Sequence, residues 1–198
     1  NLCMSLLSPG DEVVIPAPYW VSYPDIVLLA EARPIIVNTG IEQHFKMTPA
    51  QLEAALGDRT RLVVLNSPST PTGARSSQSE LQALGEGLGA YPEIVVMADD
   101  MYEHIYWADE PFVSFAAACP ALYDRTVTTN GVSKAYAMTG WRIGYAAGPE
   151  ELIRGMRKLQ SQSTSNPCSI SQWAAVEALS GPQDFLGPNA ALFQRRRD

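Results

Sequence analysis

Short, uninterrupted apolar runs recur along the chain and alternate with segments that carry helix-start signals. Runs over Glu12–Ile15, Arg61–Leu65 and Ile94–Ala98 are rich in Val, Ile and Leu and have the length of strands. Strands without polar alternation are buried on both faces, which is typical of a parallel sheet covered by helices on each side. The pattern therefore predicts an α/β fold with a mainly parallel sheet.

The segments between these runs predict helices with defined starts. Thr48 stands before Pro49, with Gln51 in the third helical position, and Ser77 stands three residues before Glu80. Both patterns are capping boxes, in which each side chain satisfies a free backbone N–H of the other residue. Further strands are expected at Pro34–Val37, Thr126–Thr129 and Ile143–Ala147, and further helices at Asn1–Leu7, Trp20–Ala32, Glu150–Gln160, Ser169–Leu179 and Leu186–Arg197.

Composition and charge exclude several classes of protein. The 198 residues are 46% hydrophobic and 18% charged, which is the balance of a globular domain and excludes a disordered chain. The formal net charge of -7 argues against a nucleic-acid-binding surface. No apolar run approaches the roughly 20 residues that a membrane helix needs. We therefore expect no nucleic-acid partner and no membrane span.

Cysteine usage and the two ends of the chain carry two more expectations. Three cysteines (Cys3, Cys119 and Cys168) lie far apart, without the spacing of a zinc site or a disulfide framework. We expect no metal site, and a reducing, cytoplasmic location. The sequence begins without Met inside a helix pattern and ends on Arg-Arg-Arg-Asp. We therefore expect a piece of a longer protein.

Polar residues follow several of the predicted strands. In parallel sheets, ligands bind at the carboxyl ends of the strands, so these positions are candidates for chemistry. They are the segments Asn66–Gly73, Asp99–Tyr102, Asn130–Lys134 and, a little further on, Thr139–Gly144. The chain contains neither G-x-G-x-x-G nor G-x-x-x-x-G-K-[ST], so dinucleotide and P-loop phosphate sites lack their glycine-rich loop.

Lys134 is unusual among the three lysines of the chain. Lys46 and Lys158 lie among polar residues and are expected on the solvated surface. Lys134 is flanked by Val132, Ala135 and other apolar residues, and an apolar setting lowers the pKa of an amine. Composition alone leaves a structural and a functional Lys134 equally open, the functional one as an amine nucleophile.

Four ordered motifs resemble one enzyme family. The string Gly131–Gly144 resembles the pyridoxal-phosphate attachment motif of class I (fold type I) aminotransferases. Asp99-x-x-Tyr102, Ser69–Gly73 and Pro16–Trp20 occur upstream in the family's order and spacing. The resemblance covers nearly the whole chain and is greatest to the bacterial aspartate aminotransferases. It implies a three-layer αβα large domain, with residues 1–198 as part of that domain and most of the small domain absent.

The resemblance also implies roles for the candidate residues. Lys134 would form a Schiff base with the aldehyde of pyridoxal 5'-phosphate and later move a proton between substrate and cofactor. Asp99 would pair with the pyridinium nitrogen, and Tyr102 would hydrogen-bond the ring oxygen O3′. Trp20 would stack on the ring face.

The phosphate and ring-oxygen contacts include two departures from the family pattern. Arg142 would bind the phosphate, and Ser133 would add a hydrogen bond. Thr70 stands where the family usually has Asn, which bonds O3′ and the substrate carboxylate; a Thr hydroxyl is expected to keep one of those contacts. Gly131 stands where many relatives have a phosphate-binding Ser. The bond between Thr70 and Pro71 is expected to be cis.

Structural roles remain open for the same residues. Asp99 is also typical of a helix N-cap, and Tyr102 and Trp20 of core aromatics. Arg142 is compatible with a surface ion pair. Asp100 and Glu103 are expected to be solvated or to support Asp99.

The function that the resemblance implies is ping-pong transfer of an amino group between an amino acid and a 2-oxo acid. Aspartate, or another dicarboxylic or aromatic amino acid, is the expected substrate, and a homodimer the expected assembly. Two alternatives stay open. One is another reaction of the same cofactor, such as that of a β-lyase, and the other is a non-catalytic, ligand-sensing module.

Overall fold

Six strands form one sheet, and five of them are parallel. The computed structural model describes residues 1–198 and orders the strands β2-β1-β3-β4-β5-β6. Strand β6 alone runs antiparallel, at the edge beside β5. The mostly parallel sheet predicted from the apolar runs is confirmed. The strands are β1 (Glu12–Ala17), β2 (Arg33–Asn38), β3 (Thr60–Asn66), β4 (Val95–Asp99), β5 (Thr126–Gly131) and β6 (Gly144–Ala147).

Eight α-helices accompany the sheet. They are α1 (Leu2–Leu6), α2 (Ser22–Leu29), α3 (Pro49–Ala55), α4 (Gln78–Leu88), α5 (Phe115–Ala118), α6 (Glu150–Ser163), α7 (Ser169–Ser180) and α8 (Leu186–Arg197). Both capping boxes form as expected, at Thr48 with Gln51 and at Ser77 with Glu80. The helix expected over Trp20–Ala32 is shorter, because Glu31 has a left-handed φ of 57° that ends the helical path.

Helix α5 has no counterpart among the elements predicted from sequence. It has only four residues, begins at the N-cap Ser114 and ends at Cys119. A four-residue helix is barely one turn, so it carries no apolar periodicity that a sequence window could detect.

The apolar residues fall into two large clusters, one on each face of the sheet. One face packs Val14, Val63 and Val96 against residues of α3, α4 and α5. The opposite face packs Ile15 and Val64 against α1 and α2, with α6 at its margin. Neighbouring residues of each strand point to opposite faces, so burial on both faces requires the continuous apolar runs seen in the sequence. The three-layer αβα arrangement is confirmed.

Other expectations concern cysteines and membrane association. Cys3, Cys119 and Cys168 are all free thiols, the first two buried and the third exposed. None of the helices has the length and apolar character needed to cross a bilayer.

Gly85 of α4 is held against Cys119 so closely that no larger residue fits. A Cβ at Gly85 would lie 2.5 Å from Cys119 Sγ and 3.2 Å from Cys119 Cβ. Alanine in place of glycine usually stabilises a helix interior by up to ~1 kcal/mol, but overfilling a tight core costs about 1–3 kcal/mol. We expect Gly85→Ala to lower the melting temperature of the full-length protein, as measured by calorimetry.

Gly87, in the same helix, supplies the matched control, because a Cβ there meets nothing within 4 Å. Gly87→Ala should raise the melting temperature or leave it unchanged. In a Cys119→Ala background the cost of Gly85→Ala should shrink. Equal gains from both glycine replacements would contradict the packing argument.

Candidate functional site

The carboxyl ends of β3 and β4 lie side by side and present two polar residues. Asn66 and Asp99 are the last residues of their strands and are direct partners in the parallel register. Carboxyl ends of parallel strands share one edge of the sheet, which is where ligands bind in such folds. The candidate site therefore begins at a fixed pair on two central strands.

Asp99 is the best-anchored candidate residue. The Tyr23 hydroxyl donates to Asp99 Oδ2 over 2.5 Å, and the Met101 backbone N–H donates to Oδ1 over 3.2 Å. Burial raises the pKa of the Asp99 carboxyl, while the hydrogen bonds from Tyr23 and Met101 pull it back down. No helix begins at Asp99, so the alternative of a helix N-cap is wrong.

Trp20 and Asp99 line the same cleft. The Trp20 ring stands edge-on to Tyr23, with centroids 5.4 Å apart and planes at 88°. Trp20 is 44% exposed, so it is not a core aromatic. A cleft of about 500 Å³ is lined by Trp20, Tyr23, Asp99 and Thr129 among others. A carboxylate and an indole ring facing one cleft suit a flat, cationic heterocycle.

The loop after β3 carries Thr70. Asn66 Oδ1 accepts from the Thr70 backbone N–H over 2.7 Å, and Asn66 Nδ2 donates to the Asp99 carbonyl over 2.9 Å. The bond between Thr70 and Pro71 is cis, as predicted. Gly73, with a φ of 71°, closes the loop in the left-handed region that glycine favours. Thr70 is thereby placed near the end of β4.

Lys134 lies beyond β5 beside Tyr102. Its Nζ is 5.7 Å from the centroid of the Tyr102 ring, and Tyr102 is half-buried. Lys134 itself is exposed, so the apolar setting expected from its neighbours in sequence is wrong. The flanking Val132 and Ala135 turn into the protein while Lys134 turns out. Sequence neighbours in an irregular segment do not share one environment.

Lys46 also departs from its prediction. Its ammonium forms an ion pair with Glu80, and its side chain is 28% exposed. Lys46 is therefore a partly buried, ion-paired side chain and not the solvated one expected from its polar neighbours in sequence. Glu80 already caps α4 through the Ser77 N–H, so the pair ties the loop before α3 to the first turn of α4.

Ser133 and Arg142 lie near Lys134 in sequence, but no hydrogen bond or ion pair joins them to the other candidate residues. Arg142 is exposed, has a φ of 55° and donates to the Thr139 carbonyl over 2.7 Å. It makes no ion pair, so the alternative of a surface carboxylate partner is wrong. Ser133 is half-buried. Both side chains remain available to a ligand.

Gly131 explains one departure from the family pattern. It is the last residue of β5, opposite Gly144 of β6. A Cβ at Gly131 would lie 2.9 Å from the Ile143 carbonyl oxygen and 3.2 Å from Gly144 Cα. A serine would have to displace the Ile143 carbonyl or the Gly144 backbone, so glycine permits the close approach of β5 and β6 in this chain.

Asp100 is buried, which contradicts a solvated role. It is 5% exposed, and its backbone N–H donates to Thr129 O. Burial, followed by the neighbouring Glu103 and Asp99 carboxylates, raises the pKa of Asp100 to about 7. Glu103 is half-buried and accepts a hydrogen bond from Asn130 Nδ2 over 2.6 Å. Directly after β4, Asp100 thus lies in the interior and Glu103 is half-buried.

Sequence reasoning missed Tyr23 and gave Asn66 no role. Tyr23 follows Trp20 by three residues, a spacing that places both on one side of a helical turn. Asn66 directly ends an apolar strand, and the rule that polar residues at strand ends carry chemistry placed it in a candidate segment without showing what it binds. Neither contact to Asp99 is visible in sequence, since Tyr23 lies 76 residues away and Asn66 lies 33 away.

A family model described as aminotransferase class I and II matches residues 1–198. The chain belongs to this aminotransferase family. It is 62% identical over 198 residues to an aspartate/prephenate aminotransferase from Cereibacter sphaeroides, covering 100% of this chain and 50% of that protein. It is 57% identical to the enzyme of that name from Nitrosomonas europaea, over 99% of this chain and 49% of that protein.

Solved aminotransferase structures share the fold. The aspartate aminotransferase of Rhizobium meliloti superposes with a TM-score of 0.98 at 54% identity, over 100% of this chain and 50% of that one. The Thermus thermophilus aspartate aminotransferase with maleate gives 0.94 at 40% identity, over 100% of this chain and 51% of that one. The chain spans about half the length of the curated relatives that it matches.

The buried Asp100 predicts a pH effect on the stability of this protein. The pKa of Asp100 rises from 3.8 to about 7 on folding, so the folded chain keeps a proton that the unfolded chain loses between those pH values. Stability then falls by about 1.4 kcal/mol per pH unit across that window from this group alone. Asp100→Asn should remove the fall.

The measurement is urea unfolding of the full-length protein at pH 4.5 and pH 8. The gain in stability of Asp100→Asn over the wild type should be small at the lower pH and reach a few kcal/mol at the higher one. Asp58→Asn, at an exposed position, is the matched control and should give no pH-dependent gain. A constant difference across pH would contradict the buried, protonated Asp100.

Proposed function

We propose that the full-length protein is a pyridoxal 5'-phosphate-dependent aminotransferase and that residues 1–198 form part of its cofactor-binding large domain. Family membership supports this, and one observation carries it: Asp99, held by Tyr23, shares a cleft with Trp20, while Lys134 lies 5.7 Å from the ring of Tyr102. A carboxylate, an indole, a phenol and an amine are the groups that such a cofactor requires.

The donor set fits the cofactor. When bound, pyridoxal phosphate supplies an aldehyde for amines and a ring that accepts electrons. Asp99 would hold a proton on the ring nitrogen, because an opposite charge nearby favours the ionised carboxylate and offsets the burial that raises its pKa. Tyr23 keeps the carboxylate oriented through its 2.5 Å hydrogen bond.

The other residues would bind and orient the remaining parts of the cofactor. Trp20 would cover one face of the ring and exclude water from it. Tyr102 and Thr70 would donate hydrogen bonds to the ring oxygen. Arg142, with its planar guanidinium, and Ser133 would bind the phosphate.

Lys134 would carry the proton that the reaction moves. Its amine would hold the cofactor through the aldehyde and, once displaced by the substrate's amino group, would be free to take a proton from the substrate α-carbon and deliver it to carbon C4′ of the cofactor. Positioned acid–base groups of this kind accelerate reactions by about 10²–10⁴-fold. The exposed position of Lys134 leaves room for this exchange.

The substrates and the assembly belong to the same proposal. We propose ping-pong transfer between aspartate, or another dicarboxylic or aromatic amino acid, and a 2-oxo acid; relatives named for aspartate and prephenate support this range. We also propose a cytoplasmic homodimer. Exposed apolar residues on α2 and α7, among them Leu29 and Trp173, support an assembly that covers them.

The first test maps the lysine. The full-length protein loaded with pyridoxal phosphate should become covalently labelled on borohydride treatment, and peptide mapping should place the label on Lys134. Lys134→Ala should lose the label and at least ~100-fold of the transfer rate from aspartate to 2-oxoglutarate. Lys158→Ala is the matched control and should keep both; a label on Lys46 or Lys158 would overturn the assignment.

The second test concerns Thr70. A family-like amide at this position supplies a longer side chain with both a donor and an acceptor. One added hydrogen bond is worth about 0.5–1.5 kcal/mol, so Thr70→Asn should raise turnover roughly two- to tenfold. Thr70→Val, which keeps the shape and loses the hydroxyl, should lower it. Steady-state kinetics on the full-length protein measures both, and unchanged or lower activity of Thr70→Asn would refute the proposed role.

A further inference from the structure

Asn66 joins two parts of the site that otherwise share no hydrogen bond. Its side-chain amide donates to the Asp99 carbonyl over 2.9 Å and accepts from the Thr70 N–H over 2.7 Å. Every other hydrogen bond of residues 67–73 has its partner within residues 67–76. Asn66 is therefore the one polar link between the loop that carries Thr70 and the strand that carries Asp99.

The chemistry of this link demands an amide. Thr70 N–H needs an acceptor and the Asp99 carbonyl needs a donor, which fixes which way the amide of Asn66 faces. A carboxylate would place oxygen against the Asp99 carbonyl, and an apolar side chain would leave a half-buried N–H and a carbonyl without partners. One planar group thus satisfies both neighbours.

Asn66 makes no hydrogen bond to the Asp99 carboxylate. The Asp99 carboxylate oxygens are held by Tyr23 and Met101, whereas Asn66 binds the backbone carbonyl of Asp99. Loss of the Asn66 amide would therefore spare the orientation of the carboxylate and release the loop of Thr70. A change at Asn66 is therefore expected to affect the Thr70 side of the site and not the Asp99 carboxylate.

We propose that Asn66 is a positioning residue that sets the spacing between Thr70 and Asp99. Through that spacing it fixes the position of the cofactor ring, whose nitrogen would pair with Asp99 and whose oxygen O3′ would accept from Thr70. The inference rests on the proposed function. Thr70 has a shorter side chain than the usual Asn, so its backbone position decides whether its hydroxyl reaches O3′. The backbone tether from Asn66 provides that position.

The test uses the full-length protein with Asn66→Leu, which keeps the size of the side chain and removes both hydrogen bonds. Asn66→Ser, a smaller replacement, repeats the test in case leucine impairs folding. Asn38→Leu is the matched control, because Asn38 also ends a parallel strand of the same sheet, β2, is exposed and makes no side-chain hydrogen bond. Melting temperatures of all variants are compared first.

Three readouts follow. In cofactor-free protein, hydrogen exchange of segment 67–73 should speed up in Asn66→Leu and stay unchanged in Asn38→Leu. The dissociation constant for pyridoxal phosphate should rise about tenfold, as expected when the hydrogen bond from Thr70 to the ring oxygen is lost. The pH at which the visible absorbance of the bound cofactor changes should move upward, because a hydrogen-bond donor to the ring oxygen is lost.

A coupling measurement separates positioning from general support. The gain from Thr70→Asn should vanish in the Asn66→Leu background, whereas it should persist with Asn38→Leu. If both Asn66 variants match the wild type in cofactor affinity, in hydrogen exchange of segment 67–73 and in the absorbance titration, the inference is overturned and the proposed function stands. A wild-type protein that binds no pyridoxal phosphate would overturn the proposed function and this inference with it.

Discussion

The parallel pairing of β3 with β4 is the constraint on which the site depends. It places Asn66 and Asp99 at matching positions on adjacent central strands. Each of these strands pairs with a further strand on its other side, and the strand residues directly before Asn66 and Asp99 are apolar core residues. A site built on strand ends of a buried sheet is rigid, and rigidity keeps a reacting group in place without cost at the moment of reaction. The loops that follow add side chains to a frame that is already fixed.

Two carboxyl groups of this frame, Asp99 and Asp100, are disfavoured in their charged form by burial. Asp99 and Asp100 follow β4 together and burial raises the pKa of both. Tyr23 and Met101 compensate Asp99 by hydrogen bonds, while Asp100 has no such donor and sits beside the Glu103 carboxylate. The contrast suits one carboxylate that can pair with a cationic ligand and one carboxyl group that keeps its proton up to a pH of about 7.

The two departures from the family pattern have different physical standing. Gly131 is enforced by the backbone, since any Cβ would collide with the Ile143 carbonyl across the β5–β6 pair. Thr70 meets no such restriction, because only its backbone N–H is engaged and its side chain is free. The first departure goes with the close approach of β5 and β6 in this chain, whereas the second leaves the side chain free to change without a backbone shift.

The sequence by itself determined what depends on neighbouring residues: the alternation of strands and helices, both capping boxes, the cis bond before Pro71 and the motifs that gave the family. Only the tertiary structure decided which distant groups meet. The contacts of Tyr23 and Asn66 with Asp99 span 76 and 33 residues, the burial of Asp100 arises from the sheet packing around it, and Lys134 turns outward despite apolar neighbours. Local patterns record backbone preferences, whereas the environment of a side chain is set by chain segments that no short window contains.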